Sequence, residues 1–179
     1  MTDTPARRDL VDKRGDRVSI VPYDERHYDR VVEMYREYPT EHRSHGLPPV
    51  LEDELHEWLA ELEARGRTFV GLLDDEVVGH AAYTPLDAPR PDFVVFVDPD
   101  YQGRGIGTEL VDHVVQNIAA EGFDGAVSFV DRDNESAIHV YEKIGFEDVE
   151  RDRLVVRMRL DLTEPESGDG HDFGEYSGE

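Results

Sequence analysis

Apolar positions along the chain follow two different periods, which together predict a mixture of helices and strands. Spacing of three and four residues indicates helices, and it occurs over residues 27–35, 51–62, 106–118 and 134–145. Alternation, or a short continuous apolar run, indicates strands, and this occurs over residues 18–22, 68–73, 77–84, 92–97, 126–130, 146–150 and 154–162. The predicted order is therefore β-α-α-β-β-β-α-β-α-β-β, within one domain over residues 17–162.

The two ends of the chain lack these periods. Residues 1–16 are polar and charged, and we predict that they form a flexible arm. Residues 163–179 are rich in Gly, Ser and acidic residues. Such a composition buries too little apolar surface to offset the entropy of ordering, so this segment is predicted to be a disordered acidic tail.

Composition excludes several classes of site. The chain has 179 residues and no cysteine, which rules out disulfides, thiolate zinc sites and a cysteine nucleophile. No apolar run approaches the roughly eighteen residues that span a bilayer, and the first thirty residues are charged rather than signal-like. We therefore expect a cytoplasmic protein that does not bind membranes.

The formal net charge is −23, and the acidic residues are spread along the whole chain. The chain contains only two lysines but seventeen arginines. This combination favours adaptation to a halophilic cytoplasm, where molar salt screens surface carboxylates over about 3 Å. Recruitment of a cationic substrate is the alternative. Nucleic acid binding is disfavoured, because phosphates would meet an acidic surface.

Three glycines between a predicted strand and a predicted helix mark a candidate anion site, Tyr-Gln-Gly-Arg-Gly-Ile-Gly over 101–107. Glycine loops at a helix N-terminus can turn several backbone N–H groups toward one anion. A P-loop would require Lys-Ser/Thr after the last glycine, and the chain has Thr108 and Glu109. A dinucleotide fingerprint would require a third glycine where Thr108 or Leu110 stands.

Two motifs resemble those of the GNAT N-acetyltransferase superfamily. Gln102, Gly105 and Gly107 match the acetyl-CoA signature Gln/Arg-x-x-Gly-x-Gly/Ala. Residues 134–146 resemble the family's second element, Asn-x-x-Ala-x-x-x-Tyr-x-x-x-Gly-Phe. The resemblance implies an α/β fold: a mixed, mostly antiparallel sheet of about seven strands, with splayed fourth and fifth strands, flanked by about four helices.

The same resemblance implies a set of residues that bind acetyl-CoA. Its diphosphate would meet the N–H groups of residues 103–107, and its pantetheine arm would pair with the strand over 92–97. The N–H of Val97 would act as an oxyanion hole for the thioester. The implied cofactor-binding residues are Val95, Val97, Gln102, Gly103, Arg104, Gly105, Ile106, Gly107, Thr108 and Asn134.

Tyr141 is the candidate general acid. It stands seven residues after Asn134, about two helical turns, so both lie on one helix face. Asn134 would then reach the pantetheine while the phenol protonates the departing thiolate. The plainer alternatives are a buried aromatic at Tyr141 and a simple helix cap at Asn134.

The general base is open between two residues. Asp92 begins the strand over 92–97 and His80 lies on the preceding strand. Alternatively, Asp92 is a turn residue, His80 is a packed core histidine, and a water chain accepts the proton. His42 and His45 are candidates to contact the acceptor, and no zinc-binding spacing of histidines occurs, so no metal is predicted.

These observations predict an enzyme that transfers acetyl from acetyl-CoA directly to a primary amine on a small molecule or peptide. A non-catalytic acyl-CoA-binding sensor of the same fold is the competing hypothesis. Dimerisation through terminal strands is common in the family that the chain resembles, and the run 154–162 is the candidate for such a homodimer contact. The sequence leaves the identity of the amine open.

Overall fold

The computed structural model describes residues 7–43, 47–85 and 88–163. Its strands are β1 (Arg8–Val11), β2 (Arg17–Pro22), β3 (Arg67–Leu73), β4 (Glu76–Thr84), β5 (Asp92–Val97), β6 (Gly125–Asp131), β7 (Glu147–Arg151) and β8 (Val155–Asp161). Its α-helices are α1 (Tyr28–Arg36), α2 (Glu52–Arg65), α3 (Ile106–Ala120) and α4 (Glu135–Ile144).

All eight strands of the described residues join one sheet in the order β1-β2-β3-β4-β5-β6-β8-β7. Every neighbouring pair is antiparallel except β5 and β6, which are parallel. The predicted fold class is confirmed, and the sheet has one strand more than expected. The additional strand is β1.

The sheet separates two apolar cores. Phe69 and Val70 are neighbours on β3, so their side chains point to opposite faces, and they pack in different cores. The larger core includes Leu110 and Ile118 of α3, both fully buried. Full burial of such a side chain contributes about 1.5–3 kcal/mol. The second core packs Tyr35 of α1 with α2.

Local signals in the sequence set the helix ends. Asp24 accepts a hydrogen bond from the Arg26 N–H at 2.8 Å, and this cap begins a 3-10 turn over Glu25–His27 that leads directly into α1. Gly122 and Gly145 follow α3 and α4 with φ angles of 85° and 117°. Only glycine adopts such angles without strain, and this ends each helix.

The flexible arm predicted for residues 1–16 is wrong for the described part of that segment. Residues 8–11 form β1, which pairs with β2 from Arg8 opposite Ile20 to Val11 opposite Arg17. The Arg8 side chain also forms ion pairs with Glu109 and Asp112 on α3, at 3.2 and 2.7 Å. These ion-pair partners of Arg8 lie about a hundred residues away along the chain, so the local sequence pattern does not predict this strand.

Three further expectations concern the acidic tail, membrane-spanning helices and dimerisation through β8. The predicted acidic tail lies outside the described residues, apart from Thr163. Among the described helices, none has the length and apolar character needed to cross a membrane. Both edges of β8 are already paired, with β6 and β7. A second copy therefore cannot add a strand along β8.

Candidate active site

The parallel strands β5 and β6 meet at one end only. Their single pairing joins Asp92 to Val127, and the Val127 N–H donates to the Pro91 carbonyl at 3.0 Å. Both strands are fully described, and no other residue pair joins them. The strands then diverge toward Val97 and Asp131, which gives the splayed pair that the sequence predicted.

A cavity of about 600 Å³ occupies the open end of this gap. It brings together nine of the predicted site residues: Val95, Val97, Gln102, Gly103, Gly105, Gly107, Thr108, Asn134 and Tyr141. Four predicted residues do not line it: Arg104, Ile106, Asp92 and His80. The cavity also includes charged side chains that the sequence did not single out, among them Lys13, Glu41, Asp133 and Lys143.

The glycine loop presents unpaired backbone donors to the cavity. Gly103 and Gly105 have φ angles of 73° and 90°, and Gly105 is the N-cap of α3. No side chain caps this helix, and the Glu109 N–H is the donor to the Gly105 carbonyl, at 3.2 Å. The N–H groups of residues 106–108 therefore lack intrahelical acceptors, at the positive end of the helix dipole.

The side chains of Arg104 and Ile106 point away from the cavity. The Arg104 guanidinium bonds Asp12 and Asp16, at 3.4 and 3.2 Å, and lies 4.6 Å from the centre of the Tyr101 ring. Ile106 is buried in the larger core. Only the main chain of these two residues is placed to bind a ligand.

The inner edge of β5 points into the gap. The Asp98 N–H donates to the Val78 carbonyl on β4 at 2.9 Å. Backbone groups alternate in direction along a strand, so the N–H groups of Val95 and Val97 face the opposite side, toward β6. The Gln102 side-chain amide donates to the Val97 carbonyl at 3.0 Å. Gln102 thus ties the glycine loop to the end of β5.

Helix α4 forms the other wall of the cavity. The Asn134 side-chain oxygen accepts a hydrogen bond from the Ala137 N–H at 3.1 Å, which makes it the N-cap of α4. Its amide group is left to donate elsewhere. Asn134 and Tyr141 both line the cavity, as their seven-residue spacing predicted.

Tyr141 is held rigidly at the inner end of the cavity. Only 7% of its surface is exposed, and its ring packs against Phe93 and Phe146 at centroid distances of 5.5 and 5.4 Å. Burial raises the pKa of Tyr141 to about 12, against a smaller opposing effect of the Ser128 hydroxyl. The phenol therefore stays protonated at neutral pH and can donate a proton.

A comparison with models of protein families identifies the family of this chain. The family model for "Acetyltransferase (GNAT) family" matches residues 28–146, more than half of the chain. The chain belongs to the GNAT acetyltransferase family.

The curated relatives match this chain over only a part of their own length. The chain is 43% identical to the mycothiol acetyltransferase of Saccharomonospora viridis over 60 residues, which is 34% of this chain and 20% of that protein. It is 39% identical over 64 residues to an uncharacterized N-acetyltransferase of Methanocaldococcus jannaschii, covering 36% of this chain and 28% of that protein. The chain thus spans a fifth of the first relative and somewhat more than a quarter of the second.

Two solved structures are similar to this chain over most of its length. The GNAT domain of S. lividans PAT gives a TM-score of 0.77 at 18% identity, covering 90% of this chain and all of that domain. The yncA protein of Salmonella typhimurium, solved with its cofactor acetyl-CoA, gives 0.69 at 21% identity and covers 85% of this chain and 98% of its own. At such identities the likeness concerns the fold alone.

Asp92 lies where the GNAT gap closes. Side chains alternate along β5, and Phe93 packs in the core beside α3, so Asp92 is on the face that carries α1 and α2. The residue is exposed to solvent. Even so, partial burial of the carboxyl group raises its pKa to about 6, against the effect of the Phe93 N–H.

His80, the other candidate base, lies inside the second core. It is 1% exposed, its Nδ1 bonds the Tyr35 hydroxyl at 2.6 Å, and its ring packs edge-on against Tyr35 and Trp58. Burial lowers the pKa of His80 to about 3. The structure does not bring this side chain into the cavity.

The segment between α1 and α2 closes the far side of the GNAT cavity. Tyr38, Glu41 and His42 line it, as the sequence proposed for His42, while His45 lies outside the described residues. The Arg43 guanidinium holds the segment in place, because it donates to the carbonyls of Pro48, Pro49, Tyr35 and Tyr38 at 2.5–3.0 Å.

No cluster of three or more potential metal ligands occurs within the described part of the chain.

Proposed function

We propose that this protein is an N-acetyltransferase that transfers acetyl from acetyl-CoA directly to a primary amine. One observation carries the proposal: a single cavity connects an uncapped helix N-terminus, the free edge of β5 and a buried, protonated phenol. These three features suit, in turn, the diphosphate, the pantetheine arm and the thioester of one donor molecule.

The backbone of residues 103–107 would hold the diphosphate. These residues lead into the positive end of α3, an arrangement that favours phosphate. The helix dipole adds about 0.3–2 kcal/mol to such binding. The pantetheine arm would then pair with Val95 and Val97, whose N–H groups face the gap, and the Val97 N–H would receive the thioester oxygen as negative charge develops on it.

The chemistry would need no covalent enzyme intermediate. The chain has no cysteine, and a neutral amine can attack the thioester carbonyl directly. Asp92, directly or through water, would take a proton from the ammonium of the acceptor to give the neutral amine. As the amine nitrogen bonds the acetyl carbon and the C–S bond breaks, Tyr141 would protonate the departing thiolate and then regain a proton from that nitrogen. His80 is a poorer base on geometry, because its ring is enclosed by the second core.

The acceptor would enter from the side of α1 and α2. Glu41 and His42 line this end of the cavity, and a carboxylate there attracts a cationic amine. We propose that the acidic residues spread over the rest of the chain serve folding at high salt, so activity should be measured in molar potassium chloride.

A thiol-release assay tests the proposed function. The protein is incubated with acetyl-CoA and a panel of polyamines, amino acids, peptides and aminoglycosides, and free CoA is measured. We expect release that requires both protein and at least one amine, with acetylation of that amine confirmed by mass spectrometry. Binding of acetyl-CoA without release for any amine favours the sensor, and failure to bind CoA at all contradicts both hypotheses.

The Gly105→Ala variant is expected to bind CoA about tenfold more weakly, because a side chain at φ 90° shifts the amides that face the anion. The left-handed conformation should also cost about 1–2 kcal/mol of folding stability. Gly122→Ala is the matched control: its φ is 85°, nothing lies within 4 Å of the added carbon, and it is outside the cavity. Calorimetry and denaturant unfolding should show equal destabilisation but an affinity loss for Gly105→Ala alone.

A further inference from the structure

The turn between β1 and β2 contacts the glycine loop. The Lys13 N–H donates to the Arg104 carbonyl at 3.0 Å. The Arg104 guanidinium also contacts this turn, because it donates hydrogen bonds to the carboxylates of Asp12 and Asp16. This turn precedes the segment that matches the family model, residues 28–146.

Lys13 extends from this turn into the cavity. Its Cε lies 3.9 Å from the position that a Cβ of Gly105 would occupy, and the residue lines the cavity wall. The end of its side chain is therefore beside Gly105, the N-cap of α3.

The carboxylates nearest in sequence are already engaged. Asp12 is buried, and its side chain accepts hydrogen bonds from the Arg14 and Asp16 N–H groups at 2.8 and 2.9 Å, besides pairing with Arg104. Burial opposes the charge of Asp12, but these donors lower its pKa below the usual value. Among the described residues, Lys13 has no ion-pair partner.

The chain has 42 acidic residues and only two lysines. The other, Lys143 on α4, lines the same cavity. A cation that faces a cavity beside uncapped helix donors is suited to an anion. Lysine in particular binds phosphate as a mobile point charge.

We propose that Lys13 binds the diphosphate of the acyl donor and that the β1–β2 turn is part of the donor site. This inference rests on the proposed function, since it assumes that acetyl-CoA occupies the cavity. Its ammonium would bind the diphosphate beside Gly105, while Arg104 joins the turn to the glycine loop.

Calorimetry with three ligands tests the inference: CoA, 3′-dephospho-CoA, which keeps the diphosphate, and pantetheine, which lacks all phosphates. The measurements use the lowest salt at which circular dichroism shows a folded protein, because screening weakens such contacts. We expect Lys13→Gln to bind CoA and 3′-dephospho-CoA about three- to tenfold more weakly and pantetheine unchanged. Lys13→Arg should retain most of the affinity.

Arg14→Gln is the matched control, because it removes the same charge from the same turn at an exposed residue that does not line the cavity. Wild-type-like CoA binding by Lys13→Gln, or an equal loss in Arg14→Gln, would refute the role of Lys13 while leaving the proposed function intact. A loss confined to CoA would assign Lys13 to the 3′-phosphate and refute the diphosphate contact. Failure of the wild-type protein to bind CoA would instead refute the proposed function.

Discussion

We expect the Tyr141→Phe variant to bind acetyl-CoA normally and to turn over about 10²–10⁴-fold more slowly, the range that general acid catalysis contributes. The ring keeps its packing against Phe93 and Phe146, so the cavity should retain its shape. What is lost is a hydroxyl whose pKa of about 12 keeps it protonated at neutral pH. Calorimetry with acetyl-CoA and steady-state kinetics with the best amine of the panel measure the two effects.

Tyr83→Phe is a matched control for this change. Tyr83 is 1% exposed on β4 and does not line the cavity, so its variant also removes one buried phenol hydroxyl. It should keep wild-type kcat. If Tyr141→Phe also kept wild-type kcat, or if both variants slowed equally, Tyr141 would not be the acid.

Much of this site was predictable because its signals are local. A glycine at the N-cap of α3 and another at the end of α4 specify backbone angles within one or two residues. Asn134 followed by Tyr141 after seven residues specifies a helix face. Each inference needs only the geometry of one loop or one helix, and the structure brings Gly105, Asn134 and Tyr141 to one cavity.

The β1–β2 turn was not predictable for the opposite reason. Its order depends on Arg8 with Glu109 and Asp112, and on Arg104 with Asp12. These partners are about a hundred residues apart along the chain, and a charged four-residue strand has no apolar period. A possible signal was that Lys13 is one of only two lysines.

The choice between the two candidate bases also needed the structure. His80 and Asp92 stand on adjacent strands, and sequence alone gives neither depth nor exposure. The rings of Tyr35 on α1 and Trp58 on α2 pack against His80, and Phe96 on β5 packs against both of these rings. Asp92 begins β5 at the point where the gap closes, a position set by its pairing with Val127.

We expect Asp92→Asn to lower kcat/KM by about 10²-fold or more at pH 8 and to remove its low-pH limb. A base must be deprotonated to act, so wild-type kcat/KM should fall as pH drops below about 6, the raised pKa of Asp92. The variant has no such group, so its residual activity should not show this fall. A pH–rate profile of both proteins from pH 5 to 9 makes the comparison.

The same raised pKa predicts an opposite effect on folding. Because the folded state holds the Asp92 proton more tightly than the unfolded chain does, its contribution to stability is complete below pH about 4 and is lost as pH rises through about 6. Asp92→Asn should remove this loss, so its stability relative to the wild type should improve between these values. Asp75→Asn, an exposed change in the β3–β4 turn, should alter neither profile. Retention of the low-pH limb in Asp92→Asn, or its loss in a folded His80→Ala variant, would contradict the role of Asp92.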